Sequence, residues 1–333
     1  MIKLNAVKSK YDSRDLVYRC SDNKLTSYQD CDYTDELLPI RDQGEQGTCY
    51  AQSAACVKEW QEKKKNYFSP QFIYNNRDYW NNGFQDGEDY YEDYGMEGRD
   101  VMKIMKNAGV CDEELYPYGI IGNTNSISDF IKDNAKQNVI KGYARILTID
   151  SMKQSLIKNG PCLIAFPVYN YTDQMWIKND TSDNLLGGHA MTVVGFDDLN
   201  QCFKIRNSWG KYWGENGYTK YYYKDWGSHW EAWTTIDDLS NNITPLTDEE
   251  LENNDEKDDK TDNDQMDLDS QEDLDKERDS DKNEDLDVNN NEDLDLDRNE
   301  DVSDNEDLDK EEDIKENKSF LQSLCEKILG NKS

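Results

Sequence analysis

Two histidines, eight cysteines and the lack of any pair of cysteines separated by two residues restrict the nucleophilic and metal chemistry open to this chain. A thiol attacks only as thiolate, so a reactive cysteine needs a setting that lowers its pKa. Cys49 has one. Gly47 and Thr48 form a flexible lead-in, and Ala51, Ala54, Ala55, Val57 and Trp60 follow at helical spacing. A cysteine at a helix start faces the positive end of the macrodipole, which favours an anion. Cys56 falls inside the same expected helix, and Cys162 and Cys202 fall in or beside strands, where a thiol is a small buried apolar group. Of the two possible base partners, His229 is flanked by Ser228 and Trp230 without a distinctive pattern. His189 follows Gly187 and Gly188, which leave it room, and opens a strand. A tight turn through residues 197–200 folds the strand from Phe203 back along it and sets Asn207 close to opposite His189. Cross-strand Cβ atoms lie about 4.5–5.5 Å apart, so the amide can fix one ring nitrogen and aim the other at the thiol. A strand-end histidine and asparagine that face solvent fit the same letters. The spacings disfavour a zinc site, and no metal or cofactor is expected.

The elements that must hold these residues divide along the chain. Besides the helix at Cys49, a short one starts at Ser69 and Pro70, with proline where its missing N–H costs nothing. Another covers 99–107 and ends at Gly109. Beyond Tyr118 the pattern turns to strands at 142–147, 162–166, 190–196, 203–207 and 218–223, with a helix over 151–158 capped by Ser151. Helices first and strands second give an α+β protein in two lobes. Residues 1–37, with Tyr11, Asp12, Ser13, Arg14 and Asp15 and no clear period, read as an extended arm, and 38–245 as the globular domain.

From Leu246 the chain becomes Asp, Glu and Asn with scattered Lys, too polar for a core. Most of the formal charge of −33 belongs there. Residues 246–318 are expected to be a disordered acidic tail of low complexity, its Asn283 to Asp287 motif recurring at irregular intervals. Asp285, Asp287 and Asn289 have calcium-loop spacing, but Asn290 and Leu296 replace the turn glycine and the bidentate glutamate, which argues against a calcium site. In 319–333, Phe320, Leu321, Leu324, Ile328 and Leu329 share one face of a short amphipathic helix. No basic stripe exists to neutralise phosphates, so nucleic acid is not an expected partner. The tail suits either a solvated spacer or a surface for a basic protein. No apolar signal core opens the chain and no stretch is long enough to span a bilayer. The expectation is a soluble intracellular protein with reduced thiols.

Residues 43–51, with Gln43, Gly47, Cys49 and Ala51, resemble the segment of papain-family peptidases that carries the oxyanion glutamine and the nucleophile. Gly188, His189 and Ala190, and then Asn207, Ser208, Trp209, Gly210, Trp213, Gly214, Gly217 and Tyr218, resemble that family's histidine and asparagine segments. The histidine follows the cysteine by about 140 residues, inside the family's range of about 130–150. The resemblance covers about 38–239. It implies a papain-like fold with a helical left lobe and a β-barrel-like antiparallel right lobe. It also implies a cysteine-type peptidase that acts on peptides or proteins through an acyl-enzyme; an endopeptidase is the expectation, no histidine-bearing occluding insertion being found, with exopeptidase action left open. Cys49 would attack as part of a thiolate–imidazolium pair, and His189 would protonate the leaving amine. Gln43 and the Cys49 N–H would hold the oxyanion, and Asn207 would orient His189 beneath the shield of Trp209, which is placed with Gly95 at the substrate groove. Tyr94, Gly95 and Met96 resemble the strip along which the family pairs substrate backbone, although a helix lead-in glycine fits Gly95 as well. Gln46 stands where the family usually has a half-cystine, and Tyr50 where tryptophan is common. The arm is too short for the usual helical propeptide. In this the chain resembles compact microbial and large-virus members, and the arm is expected to lie on the domain and partly occupy the cleft. The alternative is a catalytically silent papain-like groove that binds peptides, with a polyanionic interaction tail.

Overall fold

The computed structural model describes residues 3–19, 29–77, 93–119, 121–122, 127–236 and the backbone of 243–245. The acidic tail of 246–318 and the amphipathic helix of 319–333 lie outside the described residues. The first lobe forms around helix α1 (Cys49–Gln61), buried from Cys49 through Glu59. Its small residues Ala51, Ala54 and Ala55 let neighbours pack close, and its two buried charges are paired. Lys58 reaches Glu62 at 2.7 Å and Glu59 reaches Arg41 at 2.5 Å. Helix α2 (Pro70–Asn75) starts as the sequence indicates, with the Ser69 hydroxyl accepting from the Phe72 N–H. Strand β4 (Met96–Glu97) leads into α3 (Gly98–Asn107), and α4 (Asp129–Ala135) follows. That last helix was not expected. Its only buried residue is Ala135, so it carries no apolar period for a sequence to display.

The second lobe is a sheet of strands β5 (Gly142–Arg145), β6 (Cys162–Val168), β7 (Gly187–Asp197), β8 (Cys202–Arg206), β9 (Tyr218–Tyr222), β10 (Glu231–Ile236) and β11 (Ile243–Pro245), with α5 (Ile149–Asn159) packed against it. The cap of α5 is Thr148 rather than Ser151. The Thr148 hydroxyl accepts from the Ser151 N–H at 3.1 Å, which places Ser151 inside the first turn.

The arm is woven into this architecture instead of resting on it. Strand β1 (Ala6–Val7) pairs in parallel with β4. Strand β2 (Leu16–Tyr18) enters the large sheet between β11 and β5, and β3 (Cys31–Asp32) pairs with β7. Three apolar clusters result among the described residues, the smallest of them around Phe72, Cys111, Ile127 and Ala135; the other two are larger. One joins α1 and α3 to Leu163, Ala165, Ala190 and Trp233 from the sheet, and the other fills the sheet lobe around Phe166, Met191, Phe203 and Tyr221. The first cluster crosses between the lobes and contains both Cys49 and Ala6.

Candidate active site

Cys49 is the first residue of α1, as its surroundings in the sequence imply. Its thiol is raised by burial, and the backbone N–H groups of Ala190, Tyr50 and Cys49 itself oppose that rise. Ala190 follows His189 in β7 and shares a buried cluster with Cys49, so the helix tip of one lobe and the histidine strand of the other pack together here. Both residues are fully buried.

The imidazole is held from one side. His189 Nε2 lies 2.7 Å from Asn207 Oδ1, and the Ser208 N–H donates to the same oxygen at 2.7 Å. An oxygen already accepting from Ser208 requires Nε2 to donate, which leaves Nδ1 as the basic nitrogen. Nδ1 is buried with no hydrogen-bond partner among the described residues. The Trp209 ring lies over the imidazole with centroids 4.2 Å apart. The hairpin that joins the pair differs from simple counting. Phe196 pairs with Phe203, but a bulge shifts the register by one between Val193 and Gly195, so that Thr192 faces Arg206. Asn207 therefore reaches His189 diagonally along the same face rather than from directly opposite.

Gln43 is fixed against Ser208, the residue after Asn207. Its Oε1 accepts from the Ser208 hydroxyl at 2.7 Å, its N–H donates to the Ser208 carbonyl at 2.8 Å, and its Nε2 donates to the Gln46 carbonyl at 2.9 Å. The amide Nε2 carries a second hydrogen besides the one given to Gln46. Ser208 thus ties Gln43 and Asn207 together, a role that its letter alone does not announce. The structure brings Cys49, His189, Asn207, Gln43 and Trp209 into one constellation, and Gly95 borders it through the arm.

The arm covers this constellation. The Gly188 N–H donates to the Leu4 carbonyl at 3.0 Å, and the Met96 N–H donates to the Asn5 carbonyl at 3.3 Å. Gly95 has φ +81°, and a Cβ there would lie 1.7 Å from the Asn5 carbonyl oxygen, so only glycine admits the arm. A Cβ on Gly188 would meet the Ala6 carbonyl oxygen at 2.2 Å. The glycines before His189 do provide room, but it is filled by residues 4–6.

Burial sets the charge state under this cover. It pushes the Cys49 thiol up to about 11, against the opposing N–H donors, and pulls His189 down to about 4, against the bond to Asn207. The closed site therefore holds a neutral thiol and a neutral imidazole rather than an ion pair. A histidine held at about 4 in the fold and at the ordinary 6.5 when unfolded binds fewer protons folded, so stability falls as pH drops from 6.5 toward 4. A thiol held near 11 against the ordinary 9.0 keeps its proton when folded, so stability falls again as pH rises from 9 toward 11. Each limb is expected to cost about 3 kcal/mol. Urea unfolding of the full chain across that range checks it, and His189→Gln is expected to flatten the acid limb.

Among the described residues no group of three His, Cys, Asp or Glu is placed to hold a metal ion, and six cysteines are free thiols. None of their helices is long and apolar enough to cross a membrane.

A papain family cysteine protease profile matches residues 27–229, well over half of the chain. The chain is 29% identical over 256 residues to an uncharacterised peptidase C1-like protein of Acanthamoeba polyphaga mimivirus, covering 66% of this chain and 80% of that protein. It is 29% identical over 204 residues to mouse cathepsin K and spans 55% of that protein's length. Among solved structures, xylellain, a cysteine protease from Xylella fastidiosa, matches with a TM-score of 0.60 and 27% identity over 70% of this chain and 95% of that one. Procathepsin L 3 of Tenebrio molitor larval midgut, at 19% identity and a TM-score of 0.52, shares the fold. With its helical lobe, its strand lobe and a cysteine at the helix tip between them, the chain belongs to the papain family of cysteine proteases and is a cysteine peptidase of α+β, papain-like fold.

Proposed function

We propose that the chain is an endopeptidase whose nucleophile is Cys49 and whose base is His189. What carries the reading is the packing of Cys49 at the α1 tip in one cluster with Ala190, next to His189, whose ring is held by Asn207 with Nδ1 unused. In this reading the thiolate adds to the scissile carbonyl, and the oxyanion is held by Gln43 Nε2 and the Cys49 N–H. Donors of that kind typically contribute about 3–4 kcal/mol to lowering the barrier. His189 passes its proton to the departing amine, and a water then resolves the acyl-enzyme. Trp209 covers the His189–Asn207 bond, and Gly95 offers backbone to the substrate.

The neutral pair belongs to the arm-closed state. Withdrawal of residues 4–6 admits water, which removes the burial cost that keeps both groups uncharged and lets imidazolium and thiolate stabilise one another. The full chain would then be latent. The neutral pair is also what favours the second reading, a silent groove that binds peptides. Internally quenched peptides separate the two. An endopeptidase is expected to release two fragments cut at an internal bond, identified by mass spectrometry, whereas a silent groove leaves them whole. Removal of single terminal residues would instead make the chain an exopeptidase.

The remaining parts of the reading rest on the sequence and on the free thiols. Residues 38–245 form the peptidase domain, the thiols support a reducing intracellular compartment, and the tail of 246–318 is a spacer or a surface for basic proteins. Salt-sensitive binding of a basic protein by the full chain, lost when the tail is removed, would decide for the second role.

A further inference from the structure

We infer that Asp93 selects a basic side chain on the substrate, and that Lys3 of the arm occupies its place while the groove is closed; this rests on the peptidase reading of the groove. The Asp93 side chain is 5% exposed and makes an ion pair with Lys3 Nζ at 3.1 Å, its cationic partner among the described residues. Its other bonds are to neutral donors. The Gly47 N–H lies 2.8 and 3.0 Å from the two oxygens, and the Tyr74 hydroxyl donates to Oδ1. These bonds fix where the carboxylate points without cancelling its charge.

The arm then continues along the same wall as an extended segment. Asn5 Nδ2 donates to the Asp93 carbonyl at 2.5 Å, the Met96 N–H donates to the Asn5 carbonyl, and Ala6 and Val7 pair with Met96 and Glu97. From Lys3 to Val7 the arm therefore engages residues 93–97 through two side chains and a run of backbone, as a bound peptide would. When it leaves, the oriented carboxylate loses the cation held against it, and an incoming Lys or Arg restores the charge-assisted pair. Glu231 differs. It accepts from Tyr50 and Ser9, but Arg145 Nη2 stands 3.9 Å away as a countercharge from the domain itself. Gly47 lies two residues before Cys49, and the Asp93 charge contributes to raising the Cys49 thiol. A cation seated on Asp93 would offset that effect as well as anchoring the peptide.

The test uses the full chain carrying Ala6→Arg, since Ala6 is buried in the same cluster as Cys49 and a long charged side chain there displaces the arm. Peptides bearing Lys, norleucine or Glu at each position near a cleavable bond are compared for binding to the Cys49→Ala form by fluorescence anisotropy. At one position Lys is expected to bind roughly tenfold better than norleucine, the factor that corresponds to about 1.4 kcal/mol. Asp93→Asn, which keeps an acceptor for Gly47, brings that ratio near one, and Asp93→Glu restores a preference. No binding of any peptide, no preference for Lys, or a preference that survives Asp93→Asn overturns the inference. Turnover is read separately with Cys49 present. Peptides bound selectively but never cut would defeat the peptidase reading and leave this one standing.

Discussion

Cys49→Ala is expected to remove peptide hydrolysis in an arm-displaced full chain, with kcat falling by roughly four to six orders of magnitude. In the proposed mechanism the sulfur is the atom on which the acyl-enzyme forms, and the methyl group that replaces it has no nucleophilic lone pair. The fold should tolerate the change. Cys49 is fully buried in the cluster that links the lobes, and losing one sulfur there costs about 1 kcal/mol, an ordinary value for a buried truncation. His189→Ala is expected to cost about as much activity as Cys49→Ala, and the double variant little more than either, because the two groups act as a unit. Initial rates on a quenched peptide, with circular dichroism confirming the fold, check all three. An activity that survives Cys49→Ala, or losses that multiply in the double variant, would place the chemistry elsewhere.

Asp15→Ala is expected to destabilise the full chain by about 3–5 kcal/mol and to loosen the arm. Asp15 is buried between two arginines from different lobes. Arg99 of α3 donates to both of its oxygens, from Nε at 2.9 Å and Nη2 at 2.7 Å, and Arg145 of β5 donates from Nε at 2.7 Å. Removing the shared carboxylate leaves two nearly buried guanidinium groups facing each other, and breaking a buried pair in this way costs several kcal/mol. The same stretch of arm carries Ser9, whose hydroxyl donates to Glu231 and accepts from the Arg99 N–H. Loss of Asp15 therefore weakens the anchor next to the cleft segment. The measurements are the urea midpoint and the alkylation rate of Cys49. A drop under 1 kcal/mol would mean that the arm is not held by this cluster.

The Asp15 cluster also shows where sequence reading stops. Asp15 and Arg99 lie 84 positions apart, and strands of two or three residues such as β1, β2 and β3 are too short to carry a period. An arm with no pattern thus becomes three strands, each stabilised by a partner far along the chain. Strand β10 went unrecognised for a related reason. All six of its residues are buried, including Glu231, so it shows no alternation and carries a charge that argues against a core position. What could be read was local. Small residues and a turn of glycine announce α1 at Cys49, and Ser69 with Pro70 announces α2. The His189–Asn207 contact was legible only in outline. The hairpin could be counted, but the bulge between Val193 and Gly195 is set by packing around β7, and it alters which residues stand opposite. Burial of Cys49 and His189 was beyond reach altogether, because residues 4–6 pack against Gly187 and Gly188 and into the Cys49 cluster from far along the chain.

The central claim is that Cys49 and His189 share a proton across a groove that the arm closes. Iodoacetamide labelling of the full chain at pH 7, with each modified cysteine located by mass spectrometry, tests it most directly. Cys31 serves as the internal reference, being partly exposed and pushed up to about 11 by burial. With the native arm, Cys49 should be labelled slowly. With Ala6→Arg it should become the fastest-labelled cysteine in the chain, and adding His189→Ala should slow it again. Cys49 labelled no faster than Cys31 once the arm is displaced, or at a rate indifferent to His189, would contradict the account.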